Sequence, residues 1–169
     1  MSTRELKKIL FRLTQDKDGY PPFEFESVWG FQVTPQTYEL DNTPYYIYGV
    51  SKGDTIFAIP RDNEMHASQL IYKGGHSTLR VFAENETVRH QVITSVTKLG
   101  AQPFSTIGSS LLAIDIPPTT SFQEIDDFLS SLSNGNTIAY EDACLQHKIN
   151  DENRIKECCS LSTIPLRTN

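Results

Sequence analysis

Residues 78–145 read TLRVFAENETVRHQVITSVTKLGAQPFSTIGSSLLAIDIPPTTSFQEIDDFLSSLSNGNTIAYEDACL, and their pattern decides the fold. Thr78–Ala83 is a strand. Over Asn85–Leu99 the apolar residues Val88, Val92, Ile93, Val96 and Leu99 fall at helical spacing. Gly100 then offers the left-handed conformation that ends a helix. Gln102–Ile107 and Leu111–Ile116 are two strands around the turn Gly108-Ser109-Ser110. Pro117-Pro118 stops the second of them, because proline brings no amide hydrogen to a ladder. Ser121 followed by Glu124 is a capping box, and Ile125, Phe128, Leu129 and Leu132 form the stripe behind it. Gly135 closes this helix, and Thr137–Tyr140 is the last strand. The order βαββαβ predicts a ferredoxin-like unit over residues 77–145.

Upstream, residues 1–76 read as all β. Ile9, Phe11 and Leu13 alternate with Leu10, Arg12 and Thr14. Phe23, Phe25, Ser27, Trp29, Phe31 and Val33 then occupy every second position, an almost wholly apolar strand face. Turn chemistry separates further strands at Thr37–Leu40, Tyr45–Val50, Thr55–Ile59 and Ala67–Lys73, and Gly74-Gly75 reads as a hairpin into the second unit. Six short strands without a helix predict a small barrel or bent antiparallel sheet, packed directly on the second unit. Residues 146–169 form an extension with a short helix over Asn150–Cys158 and a frayed end over Pro165–Asn169. The fold class is therefore α+β.

No apolar run reaches the roughly 18 residues that cross a bilayer, and Met1–Lys8 lacks the layout of a signal peptide, so a cytoplasmic protein is expected. Cys144, Cys158 and Cys159 lack metal-ligand spacing and read as reduced thiols. Charge is uneven: residues 1–20 hold five basic and three acidic groups, residues 145–169 four and three, and residues 21–144 six and fifteen. That acidic middle repels nucleic-acid phosphates and attracts a cationic partner.

The strings Trp29-Gly30, Leu40-Asp41-Asn42-Thr43-Pro44-Tyr45-Tyr46, Gly49-Val50-Ser51-Lys52-Gly53-Asp54 and Gly75-His76-Ser77-Thr78-Leu79-Arg80 follow in order. Together with Leu99-Gly100 and Ile114-Asp115-Ile116-Pro117-Pro118 they resemble a bacterial family catalogued as domain of unknown function number four-two-six-five. The resemblance covers roughly Ile9 to Cys144 and brings no catalytic residues. It implies a context in which similar small proteins act as immunity partners of secreted polymorphic toxins.

His76 beside Ser77, Thr78 and Arg80 has the residue types of an anion site or general base, but no nucleophile or carboxylate recurs near it in sequence. Asp41-Asn42 and Asp54 read as turn residues. No nucleophile elbow, phosphate loop or metal-ligand spacing occurs, so no catalytic residue, metal or cofactor is expected. Tyr45 and Tyr46 are candidate contact anchors. Glu124, Asp126 and Asp127 at a helix start, with Glu141 and Asp142 after the last strand, form a candidate acidic patch. The expected function is an immunity protein that plugs the basic active-site cleft of a cognate toxin, through Tyr45, Tyr46, Asp54, His76, Glu124, Asp126, Asp127, Glu141 and Asp142. The alternative is a regulatory small-ligand module of ferredoxin-like type.

Overall fold

A computed structural model describes residues 4–167. Met1–Thr3 and Thr168–Asn169, which belong to the start without a leader and the frayed end expected above, lie outside the described residues. Five strands, β1 (Leu6–Arg12), β2 (Phe25–Thr34), β3 (Thr37–Leu40), β4 (Thr55–Arg61) and β5 (Glu64–Tyr72), close into a barrel. Neighbours in sequence pair antiparallel, and a short parallel contact of Ile9 and Leu10 with Met65 and His66 completes the ring. The chain then runs through β6 (Ser77–Ala83), α1 (Glu86–Lys98), β7 (Gln102–Ser105), β8 (Leu111–Ile116), α2 (Phe122–Leu132) and β9 (Ile138–Cys144). These four strands form a separate antiparallel sheet in the order β7-β8-β6-β9.

The second core forms as the periodicities predict. Val92 and Val96 of α1 and Phe122, Ile125 and Leu129 of α2 join Leu79, Val81, Leu112, Ile114 and Ile116 in one buried cluster, so both helices cover the same sheet face. Asn85 caps α1 by accepting from the Val88 amide, and Ser121 caps α2 by accepting from the Glu124 amide. Gly100, at φ +98°, ends α1 as expected.

The barrel corrects two expectations. Tyr45–Val50 is not a strand. The Glu26 carboxylate accepts from the amides of Tyr45, Tyr46 (2.8 Å) and Ile47 (2.9 Å), and the Gly49 amide donates to the Ala143 carbonyl at 2.8 Å. Those four donors go to a side chain and to the other sheet, and so are lost to a neighbouring barrel strand. Gly74-Gly75 is not a hairpin turn either, since β5 and β6 belong to different sheets.

The apolar face of β2 turns outward. Its alternate set, Phe25, Trp29, Phe31 and Val33, faces outward, while Val28 and Gly30 face the core. A side-chain carbon on Gly30 would lie 3.0 Å from Cβ of Tyr38 and 3.5 Å from Ile9, so a larger residue there would press its neighbours apart inside the narrow barrel. A one-residue shift would exchange the two faces, and that close approach favours the register with the aromatic set outside.

The C-terminal segment belongs to the fold. Helix α3 (Glu152–Ser160) packs against β9, and Ile164 enters the barrel core. The Leu70 amide donates to the Pro165 carbonyl and the Arg167 amide to the Leu70 carbonyl, both at 2.9 Å, so Pro165–Arg167 is held rather than frayed. Among the described residues no helix is long and apolar enough to cross a membrane.

Candidate functional site

The polar residues singled out from the sequence converge on the seam between barrel and second sheet. The loop 41–54 lies over the sheet face opposite the helices, where β6 presents Thr78 and Arg80, β8 presents Asp115 and β9 presents Glu141. Asp54 is the centre, with no exposed surface. Its carboxylate accepts from the Ser51 amide at 2.9 Å, the Gly74 amide at 2.8 Å and the Gln146 side-chain amide at 2.9 and 3.0 Å. Ser51 and Thr78 share a hydroxyl hydrogen bond of 2.6 Å across the seam. Gly53 stacks on the His76 ring, and Gly74 packs on the Gly53 backbone.

His76 pairs through Nδ1 with Oδ1 of Asp115 at 2.7 Å, while Asp115 Oδ2 is buried with no partner among the described residues. The adjacent Ser77 lies against a second imidazole. His147 Nε2 is 2.9 Å from the Pro117 carbonyl, which can only accept, so that nitrogen carries the hydrogen. In the neutral ring Nδ1 therefore accepts from the Ser77 hydroxyl at 2.7 Å. The same oxygen accepts from the Gln146 and His147 amides at 2.8 and 3.0 Å. The chemistry is that of a nucleophile and its base, but Ser77 is fully buried and its oxygen is occupied. The pair locks the extension onto the seam.

Further along, Arg80 is buried and stacks on Tyr48, with the guanidinium 4.4 Å from the ring centroid. It donates to the Ile47 carbonyl and to Glu141, and Glu141 also accepts from the Tyr48 hydroxyl at 2.8 Å. Burial, followed by that bond to Glu141, pushes the Tyr48 phenol up to about 12. Tyr45 reaches the other unit, with its hydroxyl on Ser109 at 2.9 Å and on the Leu111 carbonyl.

The nine candidate contact residues therefore separate. Asp54 is buried and reaches no surface. Tyr45 and His76 are seam residues, each partly exposed. Tyr46 is half-buried between Tyr20, Phe23 and Tyr45. Asp126 and Asp142 are both held by Arg154 of α3, in a double fork at 2.7–2.9 Å, and the Tyr140 hydroxyl donates to Asp126 as well. The Arg154 guanidinium holds the Asp126 carboxyl below the usual range. Glu124, Asp127 and Glu141 remain exposed. Sequence reasoning missed Glu26, Arg154, Gln146 and Asp115, and it weighed His147 against Cys144, whereas its partner is Ser77. Only Asp115 lay within a quoted motif, and the partners of the others are remote in sequence.

Burial drives the seam carboxyls the other way, raising both Asp54 and Asp115 above the ordinary carboxylate value. A raised folded-state value stabilises below the unfolded value of about 4 and is lost as pH climbs through the folded value. The lowered Asp126 does the opposite, so its contribution disappears as pH falls below about 4. Stability should therefore decline as pH rises above about 4 through the folded-state values of these two carboxyls, and Asp115→Asn should flatten that decline. Urea midpoints measured across the range check this; a variant with the wild-type slope would refute it.

Among the described residues no three His, Cys, Asp or Glu side chains are grouped to hold a metal ion. A cavity of about 330 Å³ opens beside the seam, lined by Leu13, Asp16, Tyr46, Tyr48 and Leu161 among others.

This arrangement of barrel, sheet and helices recurs in a hypothetical protein from Neisseria gonorrhoeae. Its crystal structure matches with a TM-score of 0.68 at 13% identity, over 88% of this chain and 99% of that one, a likeness of fold alone. No curated protein matches the chain. Residues 26–140 match the family described as Domain of unknown function (DUF4265), and the chain belongs to that family. The matched span runs from Glu26, which organises the loop 41–54, to Tyr140 beside Asp126, and so contains most of the seam.

Proposed function

We propose that this chain is an immunity protein, a cytoplasmic binder that blocks the positively charged active-site cleft of a cognate bacterial toxin. The distribution of charge supports this reading. Residues 21–144 carry six basic and fifteen acidic groups, and with Arg80, Asp54 and Asp115 buried in the seam, five basic and thirteen acidic ones are left. Glu124, Asp127 and Glu141 stay exposed, so the accessible field is negative and steers a cationic surface toward it. Buried polar bonds tie barrel to sheet, which gives a preorganised body with little ordering left to do on binding. The unit carrying the acidic residues is proposed to be ferredoxin-like, on the support of its strand order and of two helices on one face.

The test is co-expression with the toxic C-terminal region encoded by a neighbouring gene for a large secreted protein. Growth arrest by that region alone should be relieved by this chain, and equally by His76→Gln, in which the amide can still donate to Asp115. No relief by the wild type would contradict the proposal, and relief lost only in a folded His76→Gln protein would favour catalysis instead.

A second reading, a regulatory small-ligand module, draws support from the cavity at Tyr46 and Tyr48, whose volume lies at the small end for ligand sites. A metabolite screen that raises the melting temperature would favour it; a flat screen would count against it.

A further inference from the structure

We propose that the outer face of the barrel around Trp29 is a self-association surface, on which a second copy of this chain docks about a two-fold axis. Trp29 is the only tryptophan, and it lies 44% exposed on β2. Leu6 on the neighbouring β1 is equally exposed, and Phe25 and Val33 extend the stripe along β2. Leu6 pairs in register with Phe31 and Lys8 with Trp29, its ammonium 5.4 Å from the centre of the indole ring, so apolar groups on both strands flank one cation–π pair. A groove of about 550 Å³ runs beside them between Trp29, Leu6 and Leu10 and the Pro60 to Met65 hairpin. Apolar groups on both sides of an exposed tryptophan, with a lysine across its ring, have the anatomy of an interface core.

Charge selects the occupant. On and around this face stand five basic residues, Arg4, Lys7, Lys8, Arg12 and Arg61, and five acidic ones, Glu5, Glu24, Glu39, Asp62 and Glu64. The remainder of the chain carries ten basic and sixteen acidic groups. Arg4–Glu39, Lys7–Glu5 and Arg12–Glu24 already pair at 3.5, 3.9 and 3.5 Å. A nucleic acid would find these cations matched by carboxylates, and a cationic protein is drawn to the acidic remainder instead. Two identical acidic bodies repel one another except through a face that is near neutral and carries both signs. In an isologous contact each cation can also meet an acid of the other copy. This inference is independent of the proposed toxin binding.

Sedimentation equilibrium of the full chain, from low micromolar to sub-millimolar concentration, tests it together with tryptophan emission. The wild type should form a dimer, and its emission should shift to the blue as the dimer fills, because Trp29 leaves water. Trp29→Arg and Leu6→Asp should weaken the dimer about tenfold or more while melting at the wild-type temperature. A wild type that stays monomeric throughout, or a dimer that both variants leave intact, overturns the proposal. A monomer whose Trp29 emission shifts only on adding a partner protein overturns it too, and assigns the face to that partner.

Discussion

Asp54→Ala should be among the most damaging substitutions in the chain, lowering stability by about 3 kcal/mol and the melting temperature by roughly 6–12 °C. The carboxylate it deletes is the common acceptor of the Ser51 and Gly74 amides and the Gln146 side chain. Each buried donor left without a partner costs about 1–3 kcal/mol. Part of that loss is offset, because burial of the charged carboxyl is itself unfavourable and raises its pKa. Asp54→Asn should fall between alanine and wild type, since its oxygen still accepts while its amide faces other donors. Thermal melts of the three proteins decide the matter. An alanine variant within about 0.5 kcal/mol of wild type would show that the seam does not hold the units together.

Arg154→Met should cost about 2 kcal/mol. Its guanidinium is the shared partner of Asp126 and Asp142, and without it two carboxylates face each other beside β9 with little water around them. Fully buried pairs lose about 3–5 kcal/mol when one partner is deleted. The Arg154, Asp126 and Asp142 side chains are 22%, 15% and 17% exposed, so a smaller loss is expected. Methionine keeps the stem packed near Phe122, over whose ring the guanidinium now lies at 5.4 Å. Adding Asp126→Asn and Asp142→Asn to Arg154→Met should restore most of the stability, because no unpaired charge then remains. A multiple-mutant cycle from chemical denaturation measures that coupling. Strictly additive losses would mean that the fork contributes nothing beyond its separate parts.

The second unit was legible because its information is local. Val92 and Val96 declare the buried face of α1, Ser121 with Glu124 marks the start of α2, and Gly108 marks the turn between β7 and β8. The seam was not legible, because it is built from pairs far apart in the chain. Glu26 serves amides about 20 residues on, and Gln146 reaches Asp54 across 92 positions. Tyr45–Val50 has the composition of a strand, yet its amides are claimed by Glu26 and by Ala143, and no propensity argument contains those partners. The outward turn of the apolar face of β2 did leave a sign in the sequence. Gly30 interrupts a run of large residues, and glycine within a strand marks a close backbone approach. Arg154 lies in the short helix beyond Leu145, and nothing local in the sequence names Asp126 or Asp142 as its partners. It now accounts for two of the five carboxylates in the expected acidic patch.

The measurement closest to the central claim is the association rate of this chain with the purified toxic domain of the neighbouring gene, followed by stopped flow across ionic strength. Electrostatic capture by Glu124, Asp127 and Glu141 predicts a rate that falls about tenfold or more between low and physiological salt. Triple neutralisation of those residues should flatten that dependence. A rate indifferent to salt, or no complex at micromolar concentration, would contradict the account.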